Sequence, residues 1–209
     1  MSRLTLLVVG ATGALGEPVA RQLLRDGYAV RLFMRDLPRA EARLGSDFEY
    51  AVGDVGDRPS IERALQGCYG VHASLQAASV ESIEQVEHQG TARIAEAAAR
   101  RGVARLTYLS GYLATREHLH IPQHRAKYLA EQAIQQSGVP YTLFKPTYFM
   151  DTLPRHIQRT RAVAIGRAMP PLHMIAAEDY ARMVSVAFRK PEAANRSFFI
   201  RGTEAITIA

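Results

Sequence analysis

The sequence lacks most of the features that mark a secreted, disulfide-linked or membrane protein. Its 209 residues include one cysteine, Cys68, which excludes an intramolecular disulfide and a metal site built from several thiolates. No apolar run approaches the roughly 20 residues that a membrane span needs, and the run at residues 4–9 has the length of a strand. That run leads into glycines and not into a cleavage site, so no signal peptide is expected. These absences predict a cytoplasmic protein without a membrane partner.

Lysine is scarce as well. Lys127, Lys145 and Lys190 are the only three, so arginine supplies most of the basic side chains behind the net charge of +6. The basic residues are scattered, and no run forms a basic arm or a cationic helix face. We therefore expect no nucleic-acid partner. We attribute the surplus charge first to compositional drift and second to a preference for anionic ligands.

Short apolar runs alternate with stretches of helical spacing along most of the chain. The predicted strands are residues 4–9, 29–34, 48–52, 70–75, 105–109, 141–144 and 197–200, and the predicted helices are 15–25, 38–44, 59–65, 82–101, 127–137 and 179–188. This alternation favours right-handed crossovers and a parallel sheet with helices on both faces. We expect one α/β domain over residues 1–209. Loops with at most a short helix are expected at residues 150–171, and the part from about 148 to 209 forms the substrate side.

Three glycines stand at equal spacing between the first strand and the first helix. Gly10 permits a tight turn, Gly13 lets the backbone approach a pyrophosphate, and Gly16 lets the helix lie close to the sheet. The free N–H groups and the positive end of that helix then form an anion site. The residues predicted to line it are Gly10, Thr12, Gly13, Ala14, Leu15 and Gly16. A glycine-rich turn without a ligand is the alternative, but the strand before the loop and the helix after it favour a dinucleotide.

The end of the second strand decides between the two nicotinamide cofactors. Arg35 stands 19 positions after Gly16, and Arg39 follows one helical turn later. A guanidinium binds phosphate with two parallel hydrogen bonds, so Arg35 favours NADP(H) over NAD(H). Asp36 leaves the opposite choice open, because its carboxylate could turn inward and accept from a free ribose hydroxyl.

The third strand is followed by a second candidate for adenine contact. Asp54 can accept a hydrogen bond from the adenine amine while Val55 packs on the ring. An Asx turn, or a cap on the helix that contains Pro59, explains Asp54 equally well.

Taken together, these residues resemble those of the atypical short-chain dehydrogenases/reductases, most closely the NmrA-like group and the related isoflavone-reductase-like enzymes. The resemblance lies in the glycine loop, Arg35, Gly53-Asp54, residues 102–110, Lys127, Glu131, residues 137–142, Lys145-Pro146, Phe149, residues 175–181 and residues 198–202. It implies a Rossmann fold, a doubly wound parallel sheet with strand order 3-2-1-4-5-6 and usually a seventh strand. It also implies that Pro146 and Tyr148 line the nicotinamide site.

The same resemblance suggests catalytic residues. Short-chain dehydrogenases act through a serine, a tyrosine and a lysine, and Ser110 and Lys127 match the first and the last. Gln123 stands at the tyrosine position and cannot deliver a proton as a phenol does. In the isoflavone-reductase-like enzymes the matching lysine is the acid/base residue. A lysine on a wet helix surface is the alternative reading of Lys127.

Other proton donors are possible beside Lys127. His124 lies three residues earlier, on the same helical face, and histidine titrates near neutrality. Tyr112 and Tyr148 are further candidates, although a structural role suits each of them as well. His118 and His120 lie close to His124 in the sequence, but their spacing matches no known metal-ligand pattern, so no metal is predicted.

Two functions of different kinds follow from these residues. The leading hypothesis is an NADPH-dependent oxidoreductase that reduces a small carbonyl, quinone or enone, with Lys127, Ser110 and His124 as catalytic residues. The second is a non-catalytic NADP(H)-sensing regulator or assembly factor. A sugar-nucleotide epimerase is a weaker third, because such enzymes keep the tyrosine and need a larger C-terminal region. The protein is expected to be a monomer or a homodimer.

Overall fold

A parallel sheet forms the centre of the molecule. The computed structural model describes residues 3–158, 161–162 and 171–206. Its strands are β1 (Thr5–Val9), β2 (Ala29–Met34), β3 (Glu49–Val52), β4 (Gly70–Ala73), β5 (Arg105–Leu109), β6 (Tyr141–Pro146), β7 (Tyr148–Phe149), β8 (Ile157–Gln158), β9 (Arg161–Ala162), β10 (Met174–Ile175) and β11 (Arg196–Ile200). Seven of them pair in the order β3-β2-β1-β4-β5-β6-β11, with every neighbouring pair parallel. The expected strand order with a seventh strand is confirmed.

Helices cover both faces of this sheet. They are α1 (Gly16–Arg25), α2 (Leu37–Leu44), α3 (Arg58–Leu65), α4 (Thr91–Arg100), α5 (Pro122–Gln136) and α6 (Ala177–Arg189). Alternate residues of β1 point to opposite sides, because side chains along a strand alternate between the two faces. Leu6 and Val8 join the core under α1, α2 and α6, whereas Leu7 and Val9 join the core under α3, α4 and α5. The predicted α/β fold is therefore confirmed.

Two of the predicted helices differ from the observed ones by more than two residues at an end. The helix expected over residues 82–101 is a 3₁₀ turn at Val80–Ser82, a π-helical segment at Glu84–Gly90 and then α4. The helix expected to begin at Lys127 begins at Pro122 instead, because proline is well suited to the first turn, where its missing N–H has no partner to lose. His124 and Lys127 therefore both lie inside α5.

The region after β6 is less regular, as expected. Residues Met150–His156 form 3₁₀ turns, β8 and β9 form a short antiparallel pair, and β7 pairs with β10. The rest of the predicted loop, residues 159–160 and 163–170, lies outside the described part of the chain. Among the described residues, no helix combines the length and the apolar character that a bilayer span requires.

Candidate dinucleotide and active site

The glycine loop is closed by backbone contacts that leave no room for side chains. Gly10 has φ +93°, and a Cβ atom there would lie 2.4 Å from the carbonyl oxygen of Ser74. A Cβ on Gly16 would lie 2.2 Å from the Gly10 carbonyl oxygen, whereas one on Gly13 would approach only that oxygen, at 3.3 Å. Gly10 and Gly16 thus hold α1 against the sheet, and exposed Gly13 presents bare backbone to solvent.

This loop also presents unpaired N–H groups at the start of α1. Gly13 N–H donates to Gly10 O at 3.1 Å and Glu17 N–H to Gly13 O at 3.2 Å. Within the described residues, the N–H groups of Thr12, Ala14 and Leu15 reach no acceptor. Free amides at the positive end of a helix suit a pyrophosphate, so the cradle fits the predicted dinucleotide.

Asp36, the acid next to Arg35, caps a helix. The Asp36 carboxylate accepts from the Arg39 N–H at 3.1 Å and caps α2. Its carboxylate is therefore directed at the helix terminus. The Arg35 side chain is 78% exposed and its Nε lies 4.0 Å from Asp54 Oδ2, so the guanidinium stands at the edge of the site.

The structure also separates the alternatives for Asp54. Its Oδ1 accepts from the Gly56 N–H at 2.7 Å, which is the Asx turn, while Asp57 is the residue that caps α3. The second carboxylate oxygen faces Arg35. Val55 packs against Gly90, where a Cβ atom would come within 2.9 Å of the valine side chain. Adenine contact by Asp54 and Val55 stays a prediction.

Lys127 is largely buried, so a lysine on a wet helix surface is the wrong reading. Its side chain is 14% exposed, and Nζ donates to Leu109 O at 3.4 Å, at the carboxyl end of β5. Nζ also lies 5.8 Å from the centre of the Tyr108 ring. In open α/β sheets, ligands bind in the crevice outside the carboxyl ends of the strands, which is where this ammonium lies.

The partner of this lysine is a residue that the sequence interpretation missed. Glu87, in the π-helical segment, is 1% exposed, and its Oε2 lies 3.4 Å from Lys127 Nζ. Its Oε1 accepts from the Ala77 N–H at 3.0 Å. A signal was present, because Glu87 shares helical spacing with buried Thr91 and Ile94 and so falls on a face that should be apolar.

Ser110 lies in a second buried cluster and not against open space. Its Oγ donates to Glu131 Oε1, and Lys145 Nζ donates to Glu131 Oε2 at 2.9 Å and to Ala114 O at 3.0 Å. Ser110 is 3% exposed. The hydroxyl proton is therefore committed to a carboxylate and is not offered to a ligand. The catalytic role of Ser110 stays a prediction.

His124 stands one turn before Lys127 in a group of three histidines. Its ring centre lies 6.0 Å from that of His118, which lies 6.3 Å from that of His120. Burial lowers the pKa of His124 below 6.5, and the neighbouring His118, Lys127 and His120 act in the same direction. Among the described residues, no group of three or more His, Cys, Asp or Glu side chains is arranged to hold a metal ion.

The remaining predicted residues lie at the ends of β5 and β6. The Pro146 carbonyl accepts from the Tyr112 N–H at 3.0 Å, and Tyr148 begins β7 directly beyond. The exposed Tyr112 ring lies 6.2 Å from that of Phe199 in β11. A cavity of about 920 Å³ lies elsewhere, between α6 and β11, and its lining residues include none of the predicted site residues.

Comparison with known proteins places these features in a family. The profile of the NmrA-like family matches residues 2–207. A "(4-alkanoyl-5-oxo-2,5-dihydrofuran-3-yl)methyl phosphate reductase" of Streptomyces griseus is 31% identical over 97% of this chain and 69% of its own length. The "Photosystem II assembly factor Ycf39" of Trieres chinensis is 26% identical over 95% of this chain and 64% of its own length.

A solved structure has the same fold. The NADPH-dependent quinone oxidoreductase of Escherichia coli, in its complex with NADPH, matches with a TM-score of 0.78 and 21% identity, over 97% of this chain and 71% of that one. This chain thus spans only about two thirds of the length of these proteins. From its family profile, its reductase relative and its sheet order, the chain belongs to the NmrA-like family of Rossmann-fold proteins.

Proposed function

We propose that this protein is an NADPH-dependent oxidoreductase that reduces a small carbonyl, quinone or enone. The observation that carries the proposal is the position of Lys127, whose ammonium is held at the carboxyl end of β5. The glycine cradle at the carboxyl end of β1 supports it, because both elements border the crevice where α/β sheets bind nucleotides. The Streptomyces griseus relative is named a reductase, which agrees with this assignment.

The roles of the residues follow from their chemistry. Bound NADPH would supply the hydride. The N–H groups of Thr12, Ala14 and Leu15 would hold the pyrophosphate, and Gly13 would let it approach the backbone. Lys127 would donate hydrogen bonds to a ribose hydroxyl and to the oxygen on which negative charge develops. Pro146 and Tyr148 would border the nicotinamide.

The proton would come from His124 or from water, because Gln123 offers no phenol. The lowered pKa of His124 favours its neutral imidazole. Its acid form gains as the pH falls, so turnover that depends on His124 should rise in that direction. We assign Ser110 to the support of Glu131 and place the electrostatic contribution on Lys127.

Preference for NADPH over NADH would come from Arg35, with Arg39 nearby. The Arg35 side chain is exposed and its neighbour Asp36 is committed to capping α2, so the guanidinium can meet a 2′-phosphate. Cytoplasmic location and a monomeric or homodimeric state stay predictions.

A second function deserves the same test. The exposed Gln123 at the tyrosine position removes the usual proton relay, and one relative is named an assembly factor. Both facts favour a protein that senses NADP(H) without turnover. Such a protein should discriminate NADPH from NADP⁺ and should consume neither.

Binding and turnover measured together separate the two. The purified protein is titrated with NADPH, NADH and NADP⁺ by nicotinamide fluorescence, and then screened for NADPH consumption with quinones and enones. In a reductase, Lys127→Met should lower turnover far more than it weakens NADPH binding, while Lys190→Met, at an exposed lysine, should change neither. Binding without consumption of NADPH by any acceptor would favour the sensor. Absence of nicotinamide binding would refute both functions.

A further inference from the structure

We infer that Glu87 is the positioning residue of Lys127, and that it fixes the ammonium where the cofactor ribose and the acceptor oxygen must meet it. This inference rests on the proposed function. Glu87 is buried and its Oε2 lies 3.4 Å from Lys127 Nζ, so its action on the reaction would be through the lysine.

The two carboxylate oxygens of Glu87 have different partners. Oε1 accepts from the Ala77 N–H at 3.0 Å, in the segment that follows β4, and so fixes the carboxylate to the backbone. Oε2 has no hydrogen-bond partner among the described residues, and its charged neighbour is Lys127 Nζ at 3.4 Å. Glu87 is 1% exposed, so water does not screen this pair. One oxygen therefore anchors the side chain and the other holds the ammonium.

The ammonium keeps donors for a ligand. A lysine ammonium has three N–H donors. One donates to Leu109 O at 3.4 Å, while Glu87 Oε2 attracts the ammonium as an ion pair at 3.4 Å without a hydrogen bond, and no further acceptor for Nζ is found within the described residues. Two donors are therefore free for ligand oxygens. Without the carboxylate, Nζ would be held at one point only and the lysine side chain could rotate.

The buried acid lies in a segment of π-helix, which is a rare form of helix. Glu87 lies in the middle of this wider turn, and the Thr91 hydroxyl donates to its carbonyl oxygen at 2.7 Å. Three residues later Gly90 packs on Val55, which follows β3. The same segment therefore touches the predicted adenine side through Gly90 and the lysine through Glu87. Single π-turns inside helices are frequent at functional sites.

The test compares Glu87→Gln with Glu84→Gln. A glutamine at position 87 keeps an oxygen for the Ala77 N–H and removes only the charge that faces Lys127. Glu84 is the matched control, because it lies in the same segment and its carboxylate pairs with His88 and Arg125 but not with Lys127. Melting temperatures of both variants show how much of any effect is loss of folding.

The first readout needs no cofactor. With three lysines in the chain, ¹³Cε labelling gives three lysine resonances, which Lys127→Met and Lys190→Met assign. In Glu87→Gln the Lys127 resonance should move while those of Lys145 and Lys190 stay, and Glu84→Gln should move none of the three. A Lys127 resonance that is unchanged in Glu87→Gln overturns the inference.

The second readout is a double-mutant cycle on function. Glu87→Gln should lower kcat about 10- to 100-fold, in line with the cost of misplacing a group at a reacting centre. In the Lys127→Met background the same change should lower kcat less than about twofold, because interacting residues are not additive. Full additivity would show that Glu87 acts independently of Lys127 and would refute the inference. If the wild-type protein binds no NADPH, the proposed function fails, and the lysine resonances alone decide whether Glu87 fixes Lys127.

Discussion

The Arg35 guanidinium lies 4.0 Å from the Asp54 carboxylate, across the carboxyl ends of the adjacent strands β2 and β3. Both side chains are at least half exposed, and an exposed ion pair of this kind contributes at most about 1 kcal/mol. The ion pair with Asp54 is therefore too weak to fix the Arg35 side chain in one position. A 2′-phosphate carries more charge and accepts two parallel hydrogen bonds, so it should compete successfully for the guanidinium.

Cofactor selectivity should consequently depend on Arg35. We expect Arg35→Asp to raise the Kd for NADPH about 10- to 100-fold, since a charge-assisted hydrogen bond contributes about 1.5–3 kcal/mol. The Kd for NADH should change no more than a few fold. Fluorescence titration with both cofactors measures the two constants.

The control for this substitution is Arg182→Asp, which makes the same change of charge on the exposed face of α6. It should leave both dissociation constants as they are. Equal losses of NADPH and NADH affinity in Arg35→Asp would refute the assignment to the 2′-phosphate.

Two substitutions in the glycine loop should affect different properties, one the stability of the fold and the other the affinity for NADPH. A Cβ atom on Gly16 meets the Gly10 carbonyl at 2.2 Å, so Gly16→Ala should lower the free energy of unfolding by about 1–3 kcal/mol. Gly13→Ala meets only one oxygen at 3.3 Å, so it should fold with nearly unchanged stability and yet weaken NADPH about tenfold. Urea unfolding and NADPH titration of both variants check this. A Gly13→Ala protein with wild-type affinity would show that no pyrophosphate approaches there.

Local signals were enough to predict the fold. Glycine spacing, apolar runs and helix stops depend on neighbours a few residues apart, so β1, the glycine loop and α1 are found where they were expected. The residues that cap α2 and α3 could not be predicted as reliably from the sequence. Asp36 and Asp57 take those places, and a carboxylate in a sequence does not reveal whether it caps a helix or awaits a ligand.

Contacts between segments far apart in the sequence could not be predicted from these local signals. Lys127 and Glu87 are 40 positions apart, and the cap of α6 comes from Asp151, 26 residues before the Ala177 N–H that it accepts from. Ser110 matched a family motif, yet its partner Glu131 is on α5. Such pairings can be identified only from the tertiary fold, because the sequence around one partner does not indicate which distant residue it contacts.

The contact between Ser110 and Glu131 gives a prediction about the serine. We expect Ser110→Ala to lower stability by about 1–3 kcal/mol, because it removes a donor from a buried carboxylate oxygen. Turnover per folded molecule should fall less than about threefold, whereas loss of an oxyanion donor would cost about 100-fold or more in kcat. Urea unfolding and steady-state kinetics measure the two effects. A large loss of kcat with unchanged stability would show that Ser110 acts in catalysis.

A buried histidine on β4 should make the fold sensitive to acid. His72 is fully buried, its Nδ1 lies 2.9 Å from Thr107 Oγ1, and its Nε2 has no partner among the described residues. Burial lowers the pKa of His72 to about 3, whereas the unfolded chain should titrate near 6.5. Between these values the unfolded state binds a proton that the folded state does not, so stability falls as the pH falls.

Replacement by a side chain that does not titrate should remove this dependence. The slope approaches about 1.4 kcal/mol per pH unit below 6.5, so His72→Gln should gain roughly 2–3 kcal/mol relative to the wild type between pH 7 and pH 4.5. Urea unfolding of both proteins at several pH values in that range gives the difference. His120→Gln, at an exposed histidine, is the control, and its stability should follow the wild-type curve. Parallel curves for His72→Gln and the wild type would mean that His72 takes up its proton in the folded protein, through a partner at Nε2 or an opening of the core around β4.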